Sequence, residues 1–135
     1  MVFDTSALIA VLLQQRSASR IATIIDEAIS DDIPRFLSAA NFLEASIVIE
    51  CRRGEGGARE LEWLLYRTGI EIVPVDRDLV EIARIAWRRF GKGRHPAALN
   101  FGDCFAYALA KSRDLPLLFV GSDFSQTDIA IVPLA

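Results

Sequence analysis

Short apolar runs that read as β-strands alternate along this chain with amphipathic stretches that read as helices, and this alternation limits the fold more than any other feature. Residues 1–4, 33–37, 70–75, 115–120 and a short final run at 130–133 have the strand pattern. Pro34 places the second of these near its own start or on an edge. Helical spacing is predicted over residues 6–14, 19–29, 39 to about 53, 58–67, 77–90 and 101–112. Ser38 suits the cap of the third helix, Gly54, Gly56 and Gly57 break the chain after it, and residues 91–99 form a basic loop. Strands separated by helices of this length favour a mostly parallel sheet covered on both faces, an α/β/α sandwich in three layers.

At 135 residues and 52% hydrophobic, the chain has enough apolar material for one domain spanning 1–135. No apolar run approaches the ~18 residues needed to cross a bilayer. No basic flank precedes an apolar stretch at the start, so the expectation is a cytoplasmic protein with no signal peptide and no membrane partner. Cys51 and Cys104 share no CxxC or zinc spacing and read as small core residues in a reducing compartment. A net charge of −3 argues against a protein that simply coats a polyanion. Yet residues 82–102 hold Arg84, Arg88, Arg89, Lys92 and Arg94 with no acid, so these five cations leave −8 on the remainder (−3 less +5). One basic face and one acidic site are the expected division.

The acidic site is suggested by carboxylates in apolar surroundings. Asp26, Glu27, Asp31 and Asp32 read as a solvated helix end, and Glu60, Glu62 and Glu81 as exposed helix faces. Four others do not: Asp4 in VFDTSAL, Glu44 in NFLEASIVI, Asp103 in NFGDCFAYALA and Asp123 in LLFVGSDF. Singly, Asp4 reads as a helix cap, Asp103 as an acid in a first helical turn and Asp123 as a turn residue after Gly121. Glu44 is harder to dismiss, because Phe42, Leu43, Ile47 and Val48 should cover it, with Asn41 one turn earlier on its face. In a parallel sheet Asp4 and Asp123 open onto the same carboxyl edge, where ligands bind. Carboxylates gathered there raise one another's pKa unless a cation intervenes. An all-oxygen set suits Mg²⁺ or Mn²⁺, whereas the single His95 leaves no basis for an imidazole zinc site. Such an ion activates water against phosphorus, and the acid-free basic stretch offers contacts for a nucleic-acid backbone.

The runs VFDTSALIAVL, NFLEASIVIECR, FGKGRHPAALNFGDCFAYALAK and LLFVGSDFSQTDI, in this order, resemble the PIN-domain ribonucleases, specifically the VapC-like toxins of toxin–antitoxin pairs. The resemblance covers nearly the whole chain. It implies the three-layer PIN-like sandwich, a homodimer, and an Mg²⁺- or Mn²⁺-dependent endoribonuclease leaving 5′-phosphate and 3′-hydroxyl ends. Asp4, Glu44, Asp103 and Asp123 fall on the family's metal-holding acidic quartet. Ser122 stands where the family often has an acid, so Asp123 is the fourth acid and Asp128 its alternative. Thr5 or Ser6 falls on the hydroxyl position supporting the first acid, and Asn41 on a polar position beside the second. These three are expected to face substrate together with Arg88, Arg89, Lys92 and Arg94. The implied partners are RNA, tRNA in particular, and a cognate antitoxin whose tail presents an arginine to the acids. Leu8, Leu12, Ile21 and Ile25 on the early helices are the expected exposed candidates for the dimer interface. Two rivals remain: a haloacid-dehalogenase-like phosphatase, which needs an Asp where Ser6 stands, and a catalytically silent RNA- or protein-binding module of the same fold.

Overall fold

The computed structural model describes residues 1–134. In chain order the elements are β1 (Val2–Phe3), α1 (Thr5–Leu12), α2 (Ala18–Ser30), β2 (Phe36–Ser38), α3 (Ala39–Thr68), β3 (Glu71–Val73), α4 (Arg77–Phe90), α5 (Phe101–Arg113) and β4 (Leu117–Leu118), followed by a 3-10 turn (Asp123–Gln126). The sheet runs β3-β2-β1-β4 and every pairing is parallel. The run at 130–133 contributes a single bridge, Leu117 to Ile131.

Side-chain alternation across the two central rows of this sheet creates the layers. Val2, paired with Phe36 and Leu117, faces the core built with α4 and α5. Phe3, paired with Leu37 and Leu118, faces the core built with α1, α2 and α3. Phe3, Leu37 and Leu118 are fully buried, and each such side chain stabilises the fold by about 1.5–3 kcal/mol. The result is the expected three-layer α/β/α sandwich.

Helices α1, α3, α4 and α5 each begin on a side-chain oxygen that satisfies a free backbone N–H, whereas Ser17 makes no such bond at α2. Asp4 accepts from Ser6 N at α1, Ser38 from Ala40 N at α3 and Asp76 from Leu79 N at α4. At α5, Asn100 and Asp103 cap each other. The helical run after Ser38 breaks only at Gly54, whose φ of 65° and ψ of −155° lie outside the helical region, while Gly56 and Gly57 stay within it. Among the described residues no helix is long and apolar enough to cross a membrane.

Three expectations about surfaces are corrected. Leu8, Leu12, Ile21 and Ile25 are buried between α1, α2 and α3, so they offer no free face to a second copy. Cys51 is exposed on α3, while Cys104 is buried as expected. Leu43 and Ile47 do not cover Glu44 but point to solvent, because α3 turns Ala45 and Ile49 toward the core.

Candidate active site

β1 ends at the carboxyl edge of the sheet, and Asp4 follows it directly, its backbone N–H bonded to Leu118 O at 2.9 Å. The Asp4 side chain is 5% exposed. Its Oδ2 accepts from Ser6 N at 3.0 Å and from Ser6 Oγ at 2.5 Å. Ser6 Oγ in turn accepts from Val120 N at 3.0 Å, which ties the β1–α1 turn to the chain leaving β4. Asp4 Oδ1 is buried and, among the described residues, has no hydrogen-bond partner. An unpartnered buried carboxylate oxygen costs free energy unless a ligand or ion meets it.

Asn41 is fully buried and clamps three helices together. Its Nδ2 donates to Thr5 Oγ1 at 3.2 Å and to Gly102 O at 3.1 Å, while Thr5 Oγ1 donates to Asn41 O at 3.3 Å. One turn along α3, the Glu44 carboxylate lies directly over Gly102. A Cβ built there would stand 2.6 Å from Glu44 Oε1 and closer still to Oε2. Asp103 sits in the first turn of α5, its Oδ2 accepting from Asn100 N at 3.0 Å while Asn100 Oδ1 accepts from Asp103 N at 2.9 Å. Asp123 opens the 3-10 turn, which buried Phe124 anchors against Phe119 at 5.0 Å between ring centres.

A cavity of about 350 Å³ brings together Asp4, Glu44, Asp103 and Asp123, with Ser6 and Asn100 on its wall. No lysine or arginine lines it. Burial pushes the Asp103 carboxyl up to about 7, and the charges of Asp4, Asp123 and Glu44 push the same way against the Asn100 N–H. Burial likewise raises Asp4, the Ser6 donors oppose it, and Glu44 adds to the rise. Among the described residues no three His, Cys, Asp or Glu side chains close up around an ion by themselves. Oxygen ligands of this kind are what a hydrated divalent cation takes, with waters completing its shell. Buried oxygens without a cation of their own, including the orphaned Asp4 Oδ1, fit that group.

The remaining expected residues fall elsewhere. Asp128 does not line the cavity. Its Oδ1 accepts from Tyr107 OH at 2.5 Å and its Oδ2 from Lys111 Nζ at 3.1 Å and Arg89 Nη1 at 3.2 Å. The Tyr107 hydrogen bond, followed by Lys111, draws the Asp128 carboxyl down to about 2. Between the two alternatives, Asp123 faces the other acids. Asn41 cannot face substrate as expected, because its side chain is 0% exposed. Nor do Arg88, Arg89, Lys92 and Arg94 line the acidic cavity. Arg89 is turned to Asp128, and Arg94 lies over the Trp87 ring at 4.1 Å. His95 is a loop residue whose Nδ1 accepts from Ala97 N at 3.0 Å.

Two site residues escaped the sequence reading. The N-x-x-D spacing of Asn100 and Asp103 carried a legible capping signal. Gly102 carried none, since only the approach of α3 explains it.

The profile of the PIN domain matches residues 1–130. A Ribonuclease VapC from Mycolicibacterium smegmatis is 51% identical over 132 residues, covering 98% of this chain and 99% of that one. Ribonuclease VapC30 of Mycobacterium tuberculosis is 49% identical over 134 residues, covering 99% of each. Among solved structures, Mycobacterium tuberculosis VapC20, described as a sarcin-ricin loop cleaving toxin, matches with a TM-score of 0.74 at 18% identity over 98% of both chains. VapBC2 from Rickettsia felis, bound to a promoter DNA fragment, matches with a TM-score of 0.76 at 13% identity over 98% of both chains. At such identities these structures speak for the fold, whereas the two ribonucleases speak for the family. The chain belongs to the PIN-domain family, among its VapC ribonucleases, the toxins of toxin–antitoxin pairs.

Proposed function

We propose that this chain, acting as one domain, is an Mg²⁺- or Mn²⁺-dependent endoribonuclease whose centre is Asp4, Glu44, Asp103 and Asp123. The observation that carries the reading is the unpartnered, buried Asp4 Oδ1 facing a four-carboxylate cavity that contains no basic side chain. A divalent ion bound there lowers the pKa of a water and offsets charge on the phosphoryl oxygens. The chain's own groups do the rest. Ser6 occupies Asp4 Oδ2 and leaves Oδ1 available as a ligand. Gly102 and the Asn41 clamp hold Glu44 and α5 in register. Asp103, its pKa raised by burial and by the neighbouring carboxylates, would hold the ion in its ionised form. Asp123 approaches from the chain beyond β4 and orients water or a second ion.

The substrate is RNA, with tRNA and other structured loops the first to test, and the site of action is the cytoplasm. The partner is an antitoxin that presents an arginine to the acidic cavity, in line with a structural relative that is a toxin–antitoxin complex from Klebsiella pneumoniae. The working unit is a homodimer. Incubating the purified chain with total RNA in Mg²⁺, in Mn²⁺ and in EDTA tests this function. Discrete fragments with 5′-phosphate ends are expected with either ion and not with EDTA. Cleavage that survives EDTA, or the absence of both cleavage and Mn²⁺ binding, would overturn it.

A further inference from the structure

A second groove, of about 440 Å³, lies between α4 and α5, and Asn100 is common to its wall and to that of the acidic cavity. Val80, Trp87, Leu99, Phe101 and Phe105 line it. Its aromatic groups are left in solvent: Phe101 is 81% exposed and Trp87 45%. Phe105 meets Phe101 edge to face at 5.0 Å, so the Phe101 ring is braced from one side only. The volume lies within the range of about 300–1,000 Å³ common to small-ligand sites.

The rim is cationic. Arg84 and Lys92 border the groove, and Arg94 covers part of Trp87. Arg84 is bonded to Glu81 at 3.0 Å, but among the described residues no carboxylate pairs with Lys92 or Arg94. A polyanion carrying flat apolar rings satisfies both features at once, through ring stacking and phosphate contacts.

We propose that the α4–α5 groove is a base subsite of the active centre. It takes an unstacked nucleobase of the RNA next to the scissile phosphate, against Trp87 and Phe101, with Lys92 and Arg94 on the adjoining backbone. The groove thereby favours single-stranded or loop RNA, whose bases are free to leave the stack. The inference rests on the reading of the acidic cavity as an RNA hydrolase.

Two measurements test it together. The chain has two tryptophans, so Trp63→Phe leaves Trp87 as the only reporter. In that background Asp103→Asn prevents turnover while a labelled single-stranded RNA is titrated in Mg²⁺, with anisotropy and tryptophan emission followed in parallel. Separately, Phe101→Ala is assayed for cleavage; so exposed a side chain can be shortened without unfolding the domain. Emission from Trp87 is expected to change along the same isotherm as anisotropy. Phe101→Ala is expected to raise KM about tenfold, the scale of one lost stacking partner, with kcat within about twofold. Binding by anisotropy with silent Trp87 emission and an unaltered KM overturns the subsite while leaving the hydrolase standing. So does a Phe101→Ala variant that dissociates a dimer without changing KM, because a second copy then occupies the groove. A wild-type chain that neither binds nor cleaves RNA overturns both readings.

Discussion

Gly102→Ala separates the placement of Glu44 from the stability of the fold. A new Cβ would sit 2.6 Å from Glu44 Oε1 and nearer still to Oε2, inside any permissible contact. The colliding atoms are the tip of a flexible side chain, so the carboxylate yields before the backbone does. To regain van der Waals separation it must retreat by roughly 1 Å. A displacement of that size is enough to cost about 10²-fold in rate when the group positions a reacting centre. Stability changes little, because replacing a helical glycine by alanine returns up to about 0.5–1 kcal/mol. The assay pairs a urea titration with RNA cleavage in Mn²⁺, with Glu44→Gln alongside. The expected variant is as stable as wild type or slightly more so, and about a hundredfold slower. Unchanged cleavage by a folded Gly102→Ala protein would show that Glu44 needs no such placement. Loss of folding would show that α3 and α5, not the side chain, bear the collision.

Stability in EDTA should fall as pH rises from near 5 to near 8. Asp103 goes from 3.8 when unfolded to about 7 when folded, so between those values the native state holds a proton that the unfolded chain has released. The stability linked to that proton is complete below the unfolded pKa and lost as pH passes the folded one. Each unit corresponds to about 1.4 kcal/mol, and solvent in the open cavity reduces the whole to about 2 kcal/mol. Urea midpoints at the two pH values measure it, and Mn²⁺ at the higher pH should restore the loss. A metal-free protein equally stable at both would refute the burial of Asp103 among these acids as the cause of its raised pKa. Tyr107→Phe leaves the buried ring but removes the donor to Asp128 Oδ1, so the urea midpoint should drop by the equivalent of about 1–2 kcal/mol. Because Asp128 is outside the acidic cavity, Tyr107→Phe should slow cleavage less than tenfold; a loss as large as that of Glu44→Gln would place Asp128 in the centre.

Where local chemistry decides structure, the sequence could be read closely. Helix α4 runs Arg77–Phe90 as its spacing predicts, because the Asp76 cap and Gly91 are both written into the chain. Asp4 was conspicuous because an ionisable group ended an apolar strand. Strand lengths were overestimated, since apolar runs continue past the residues that find a ladder partner: β4 pairs only Leu117 and Leu118. The first helix is apolar on all sides, the mark of an element buried on several faces rather than of an exposed interface. On α3 the apolar residues surround Glu44 in sequence, and only packing reveals that Ala45 and Ile49 face inward while Leu43 and Ile47 do not. Asp123 and Asp128 are equivalent acids in a short segment until Tyr107 and Lys111 of α5 engage the second. The polar character of Asn41 was visible, but its clamp joins residues 36 and 61 positions apart.

The most direct test of the acidic centre is single-turnover cleavage of one RNA in Mn²⁺ by Asp4→Asn, Glu44→Gln, Asp103→Asn and Asp123→Asn, each shown to be folded. Every one should lose about 10²-fold or more in rate, and Asp4→Asn should also lose Mn²⁺ binding by calorimetry, since it replaces the carboxylate whose Oδ1 is unpartnered. Metal-stimulated cleavage undiminished in Asp4→Asn or Asp103→Asn would contradict the assignment of this cavity as the catalytic centre.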